Sequence, residues 1–227
     1  MARYATFALP ETKCFAAEVP EGLAVRVGDL CVVKRGTWLE LCRVRLLMDQ
    51  APPCAAGLAP LPAVIVRLAG EDDLARAMTS RELETRVMAQ FDEETAGAPQ
   101  GVHAVAARFN LDRTRLILFY HGDQRFDARA IGGRLARRFK TAVEARQIGI
   151  RDETAVLGGV GSCGRPVCCA TWLREFRPLN VRMAKAQGIS LNPTSINGYC
   201  GRLKCCLRYE LEKPEAPGGS EREENET

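Results

Sequence analysis

The pattern C-G-R-x-x-C-C occurs twice in this chain, at residues 163–169 and again thirty-seven residues later at 200–206, and it constrains the molecule more than any other feature. Chance repetition of five fixed positions is improbable. Thiolates are soft ligands favoured by iron-sulfur clusters and zinc, and an arginine beside them offsets their charge or donates hydrogen bonds to sulfur. Glycine after the first cysteine lets the backbone turn tightly around a bulky centre. One motif supplies two or three thiols, so two motifs complete a four-ligand site. Cys163, Cys168, Cys200 and Cys205 form the minimal set, and Cys169 and Cys206 complete the candidates. Adjacent residues on a helix point about 100° apart, so the two members of a doublet need not serve the same ion. The spacing matches neither the C-x-x-C-x-x-C run of ferredoxins nor the paired C-x-x-C of zinc ribbons. Residue chemistry therefore leaves four readings open: an iron-sulfur cluster, zinc, a redox-active thiol set, or buried structural thiols.

The remaining four cysteines, Cys14, Cys31, Cys42 and Cys54, are scattered and read as small buried hydrophobes. With 46% hydrophobic and 26% charged residues among 227, the chain is ordinary globular material that builds a core without crosslinks. It shows no apolar run near the ~18 residues of a membrane span and no signal segment at its start, so we expect a cytoplasmic protein without membrane insertion. In a reducing compartment, clustered thiols read as metal ligands or reactive groups rather than disulfides. Charge is unevenly spread: residues 101–209 carry 19 basic and 7 acidic side chains, whereas 210–227 carry 2 and 7. The basic middle suits a solvated surface, RNA, an acidic partner or the acidic tail itself.

The pattern along the chain is α+β. Residues 1–50 read as a small β module, with strands expected at 25–27, 30–33 and 37–44 between Gly and Asp turns. Residues 50–62, rich in Ala and Pro, read as a linker. From residue 63 to 150 the order is strand (64–68), helix (71–91), strand (102–109), strand (114–120), helix (127–140), strand (141–150). That order is the ferredoxin-like split βαββαβ arrangement, two helices over one face of a four-stranded sheet. Leu74, Met78, Met88 and Phe91 form the expected inner stripe of the first helix, and Ile131, Leu135 and Phe139 that of the second. Residues 151–211 form the cysteine-rich metal-binding segment, in which Trp172 and Phe176 read as a core stripe. Residues 212–227 read as a disordered acidic tail. The two histidines, His103 and His121, suit structural roles in or beside strands, and no nucleophile–base grouping, paired-carboxylate signature or P-loop stands out.

Five stretches together resemble a known family: Q-I-G-I-R-D-E at 147–153, G-G-V-G-S-C-G-R at 158–165, M-A-K-A-Q at 183–187, L-N-P-T at 191–194 and C-G-R-L-K-C-C-L-R-Y-E at 200–210. They are similar to the RicT family of bacterial proteins, also called YaaT, which carry the C-terminal domain shared with yeast polymerase-suppressor proteins. The similarity runs from about residue 20 to 210. It implies a non-catalytic subunit of a cytoplasmic complex with RicA-like and RicF-like small helical proteins. Such complexes carry 4Fe-4S clusters and promote RNA processing by RNase Y, with effects on sporulation, competence and biofilm formation. All six motif cysteines, Cys163, Cys168, Cys169, Cys200, Cys205 and Cys206, match the family pattern. The resemblance also implies FAD at the level of the assembled complex, but Gly158-Gly159-Val160-Gly161 lacks the G-x-G-x-x-G fingerprint and reads instead as a flexible approach to Cys163. The alternative function is a zinc-stapled RNA-binding module that uses the basic middle.

Overall fold

The computed structural model describes residues 3–9, 12–49, 63–98, 101–173 and 176–211. The chain divides into two compact units, Met1–Gly149 and Ile150–Thr227. The architecture is α+β, as expected.

In the first unit, strands β1 (Arg3–Leu9), β2 (Thr12–Val19), β3 (Leu30–Arg35), β4 (Trp38–Arg43), β5 (Leu46–Met48) and β6 (Ala63–Leu68) form one sheet in the order β4-β3-β6-β2-β1-β5. Side chains alternate across a strand, so Ala5 and Phe7, then Phe15, Ala17 and Val19, then Cys31 and Val33 share one buried face. Phe7 and Phe15 are direct cross-strand partners with ring centroids 5.3 Å apart. Cys31 and Cys42 also stand opposite each other, both buried, in keeping with their reading as small apolar residues. The side chain of Cys14 and all of Cys54 lie outside the described residues, as do the 50–62 linker and the 212–227 tail. The strand expected at 25–27 does not form. Val25 does reach the core, but the Arg26 N–H donates to the Asp29 carboxylate at 2.8 Å, and this local turn takes the backbone away from a ladder.

A second sheet holds β7 (His103–Phe109), β8 (Arg115–His121) and β9 (Ala142–Gln147) in that order. The expected hairpin of β7 and β8 is present, with the Asn110 side chain accepting from the Arg115 N–H at 2.8 Å to close its loop. Helices α1 (Glu71–Thr95) and α2 (Arg129–Phe139) bury Val87, Phe91, Ile131 and Leu135 against Leu116, Leu118 and Tyr120. The other face of the sheet meets the first one: Arg108 pairs with buried Glu40 at 2.7 Å, and the Arg115 guanidinium lies 4.2 Å from the centroid of the Trp38 ring.

Two expectations need correcting. The ferredoxin-like four-stranded sheet does not assemble, because β6 belongs to the first sheet. Its residue Ile65, 0% exposed, completes the first core, and β6 runs antiparallel to β3 through five register pairs. The place a first strand would take in the split arrangement is closed, since β8 and β9 pair directly, in parallel, from Arg115↔Ala142 to Tyr120↔Gln147. The inner stripe of α1 is also different. Nine residues separate Met78 from Val87, two and a half helical turns, which puts Met78 opposite the buried face and leaves it 69% exposed. Leu74 is exposed as well, while Val87, Phe91 and Thr95 follow the buried line. The stripe of α2 is as expected, with Ile131 and Leu135 buried and Phe139 packed beside them. No helix among the described residues is long and apolar enough to cross a membrane.

The start of α1 is fixed by electrostatics. Asp73, 3% exposed, accepts from the Gly70 N–H at 2.9 Å and from the Arg67 guanidinium, one of whose nitrogens stands 2.8 Å away. The Arg67 hydrogen bond, helped by the Gly70 N–H, outweighs burial and holds the Asp73 carboxyl down at about 2. We predict that Asp73→Ala destabilises the first unit by about 2 kcal/mol at neutral pH through loss of this charged network. Because the folded-state pKa is depressed, the stabilisation is present above the unfolded value of about 3.9 and disappears as pH falls towards about 2. Thermal unfolding of the two proteins from pH 7 to pH 2 checks this; a gap that stays constant down to pH 2 contradicts it.

Candidate metal centre

All six motif cysteines belong to the second unit, which is built from α3 (Ile150–Leu157), α4 (Val181–Ala186), α5 (Pro193–Ile196) and α6 (Cys206–Leu211), with the two cysteine turns between them. A small core of Ala184, Ile196 and Leu207 joins these elements. Helix α4 begins at Asn180, whose side chain accepts from the Met183 N–H, and α5 begins at Asn192, which accepts from the Thr194 N–H before Pro193 sets the first turn.

The sequence repeat is also a backbone repeat. In the first turn Gly161 N–H donates to the Arg165 carbonyl at 2.8 Å and Gly164 N–H to the Gly161 carbonyl at 2.9 Å; in the second, Gly198 donates to Arg202 at 2.7 Å and Gly201 to Gly198 at 3.0 Å. Val160 bridges Pro166 as Asn197 bridges Leu203. The Val167 N–H reaches Gly159 at 3.0 Å and the Lys204 N–H reaches Ile196 at 2.9 Å, and every one of these pairs is related by the same thirty-seven-residue shift. Each turn is a hairpin tip followed by a residue in the left-handed region, Gly164 at φ +76° and Gly201 at φ +74°. After the tip each chain bends into a helical turn that carries the cysteine doublet, marked by Ala170 N–H to Val167 and Leu207 N–H to Lys204. The repeat thus extends upstream to G-x-C-G-R-x-x-C-C. The C-G-R-x-x-C-C pattern leaves out Gly161 and Gly198, although the two-residue offset before each first cysteine is visible in the chain.

These turns bring all six thiols to the wall of one cavity of about 220 Å³. Among the described residues, no group of three or more His, Cys, Asp or Glu side chains is drawn together closely enough to hold one metal ion. The thiols line a space rather than meet at a point. Cys169 is buried, Cys168, Cys200, Cys205 and Cys206 are half-buried, and Cys163 is exposed at the first tip. Burial pushes up the Cys169, Cys205 and Cys206 thiols; for Cys205 the value rises to about 11, with the neighbouring Cys168 adding to it and the Arg151 guanidinium opposing it. Closely spaced thiols in a partly dry cavity repel further negative charge, and a bound cation removes that penalty. The residue types are those a soft metal centre takes, although their side chains are not gathered around one point.

Two other expectations change here. Trp172 is not a core residue: it is 50% exposed and lies edge-on to Tyr209 with ring centroids 4.5 Å apart. Phe176 instead carries the Arg151 guanidinium over its ring at 5.0 Å. His103 and His121 are in the first unit, as cross-strand partners with Nδ1 atoms 3.0 Å from the Gly101 carbonyl and 3.2 Å from the Ile148 carbonyl respectively.

Relatives of known name place this geometry in context. The PSP1 C-terminal conserved region matches residues 63–148, and the third domain of PSP1-like proteins matches residues 178–215. The chain is 41% identical over 154 residues to the stage 0 sporulation protein YaaT of Bacillus subtilis, a match that takes in 66% of this chain and 55% of the relative. The chain therefore spans little more than half the length of that relative. No solved structure matches it significantly.

The left-handed glycines generate a prediction. An L-residue in that region costs about 1–2 kcal/mol, so Gly164→Ala and Gly201→Ala should each destabilise the second unit by about that amount. Asparagine, which tolerates the region, should cost less at the same positions. Thermal unfolding of the four variants checks the order; alanine and asparagine variants of equal stability contradict it. By its PSP1 matches and its identity to YaaT, the chain belongs to the YaaT/PSP1 family.

Proposed function

We propose that this chain is a non-catalytic, iron-sulfur-binding regulatory subunit of a cytoplasmic complex that modulates RNase Y-dependent RNA processing and developmental regulation. The observation that carries the reading is the repeated turn, which sets six thiols around one cavity of about 220 Å³. A cavity of about 220 Å³ has room for a centre of several atoms. The spread of the thiols around the wall agrees with that. The B. subtilis relative is named a stage 0 sporulation protein, which supports the regulatory part. RicA-like and RicF-like small helical proteins are the partners this reading expects.

In this reading Cys163, Cys168, Cys169, Cys200, Cys205 and Cys206 are the candidate ligands. Those thiols would hold a 4Fe-4S cluster, which would supply a redox-sensitive state. The chain's own residues do the rest: the hairpins orient the thiols, and Val167, Leu203 and Leu207 limit water around them. FAD belongs to this proposal at the level of the assembled complex.

Zinc is the second metal, paired with a role as an RNA-binding module. The RNA-binding part of that reading is favoured by α2, which carries Arg129, Arg134, Arg137 and Arg138 and no acidic residue.

Anaerobic purification with iron, sulfide and zinc analysis separates the two. We expect brown protein with stoichiometric iron and sulfide, and at least a severalfold loss of iron in Cys163→Ser and Cys200→Ser, because serine oxygen is a harder and poorer ligand. Cys31→Ser should keep its iron. A colourless protein with stoichiometric zinc supports the RNA-binding module instead, and unchanged iron in both motif variants removes these cysteines from the ligand set.

A further inference from the structure

Arg151 stands outside both cysteine motifs, yet three observations tie it to them. It is one of the residues lining the thiol cavity. Its Nη2 donates to the Leu203 carbonyl at 3.3 Å, and Leu203 is the bridge residue of the second turn, opposite Asn197. Its guanidinium lies 5.0 Å from the centroid of the Phe176 ring, which supports it from another side. The side chain starts from the first turn of α3, a separate element from either hairpin, so it links that helix to the second cysteine turn.

The first turn shows how specific this is. Pro166 occupies the position equivalent to Leu203, and the Val160–Pro166 bridge repeats the Asn197–Leu203 bridge, but the guanidinium hydrogen bond falls on the second turn. Arg165, the arginine of the first motif, lines the cavity directly, whereas Arg202, its counterpart in the second, does not. Arg151 is thus a cavity-lining arginine joined to the second turn, where the first turn has its own cavity-lining arginine, Arg165. An arginine suits the task because its planar, always-charged head donates to a carbonyl and stacks on an aromatic ring at once, which lysine does not do.

We propose that Arg151 is a positioning residue of the metal centre: it anchors the second cysteine turn through the Leu203 carbonyl and provides the positive charge that faces the thiol cavity on that side. The anchoring half stands on the geometry of the chain alone; the charge half rests on the iron-sulfur reading of the cavity.

The test uses full-length Arg151→Gln and Arg151→Lys beside the wild type. In metal-free protein under reducing conditions, hydrogen exchange of the 203–206 amides should be about tenfold faster in Arg151→Gln, the scale of one lost charge-assisted hydrogen bond, with residues 161–169 unchanged. Equal exchange of 203–206 in wild type and Arg151→Gln, or equal loosening of both turns, overturns the anchoring role. After anaerobic reconstitution with iron and sulfide, the midpoint potential should shift to more negative values in Arg151→Gln and less so in Arg151→Lys, because loss of a nearby positive charge disfavours the more negative, reduced state. An unchanged potential in Arg151→Gln overturns the charge role while leaving the cluster reading intact. A wild-type protein that takes up no iron overturns the cluster reading, and with it the charge role, but the exchange result still decides the anchor. Should Arg151→Gln fail to fold, Arg151→Lys carries the exchange measurement, since lysine keeps the charge and loses the planar contact with Leu203 and Phe176, and Arg151→Met carries the potential measurement, since methionine keeps aliphatic bulk without the charge.

Discussion

The second unit depends on a hydrogen bond that closes a hairpin tip, made twice: Gly161 N–H to the Arg165 carbonyl and Gly198 N–H to the Arg202 carbonyl. These bonds hold the first cysteine of each motif at the end of a rigid loop and direct the chain into the helical turn that carries the doublet. Side-chain packing contributes little at that point, since residues 162–166 are exposed. Backbone geometry thus sets the thiols, and the small core of Ala184, Ile196 and Leu207 lies under the later segment. An interior of that size yields modest hydrophobic stabilisation, roughly 1.5–3 kcal/mol for each large side chain fully removed from water. A crosslinking centre matters most to a domain of this kind, because metal binding supplies folding free energy that a small core does not.

The cavity is electrostatically poised in the neutral direction. Burial raises the Cys169, Cys205 and Cys206 thiols, and the proximity of other thiols adds to it. A thiol must lose its proton to become a ligand, so the metal uptake proposed for this cavity would release protons and weaken as pH falls. The first unit makes opposite use of charge. Asp73 and Glu40 are buried carboxylates held by Arg67 and Arg108. Removing one partner of such a pair leaves an uncompensated charge, which makes these contacts costly to break even where their net contribution is small.

Much of this molecule was legible in the chain, and the illegible part has a common physical origin. The hairpin of β7 and β8 and the inner stripe of α2 follow from local periodicity and turn chemistry. The pairing of β6 does not, because Val64-Ile65-Val66-Arg67-Leu68 presents the same alternation to any sheet, and its partner β3 is distant in sequence. Strand order is a long-range property. The misread stripe of α1 arose because 25 helical residues of mixed polarity contain several apolar lines, and packing against β7 and β8 decides between them. In the cysteine region the repeat announced the candidate centre, whereas the family-like stretch that contains Arg151 gave no sign of its contact with the second turn, and Tyr199 had no signature of its own. Tyr199 closes against Gly159, whose Cβ, were one present, would stand 3.2 Å from the ring. That contact joins the approach to one motif with the approach to the other, and positive φ at Gly158 and Gly159 permits it. The expected flexible approach to Cys163 is therefore a folded one.

Because each hairpin closes through bonds within its own nine or so residues, the connection from 171 to 195 contributes no bond to either hairpin closure. The entropy of closing such an excursion grows only with the logarithm of its length, about 0.6 kcal/mol for each doubling. Extra residues placed between Gly188 and Pro193, where the chain is largely exposed, are thermodynamically cheap. One residue added inside residues 161–165 or 198–202 breaks the tip bond and moves a thiol away from the cavity wall. The chain is thus an adaptable connection between two positions that admit no change in length, and grafts or labels are best carried by the former.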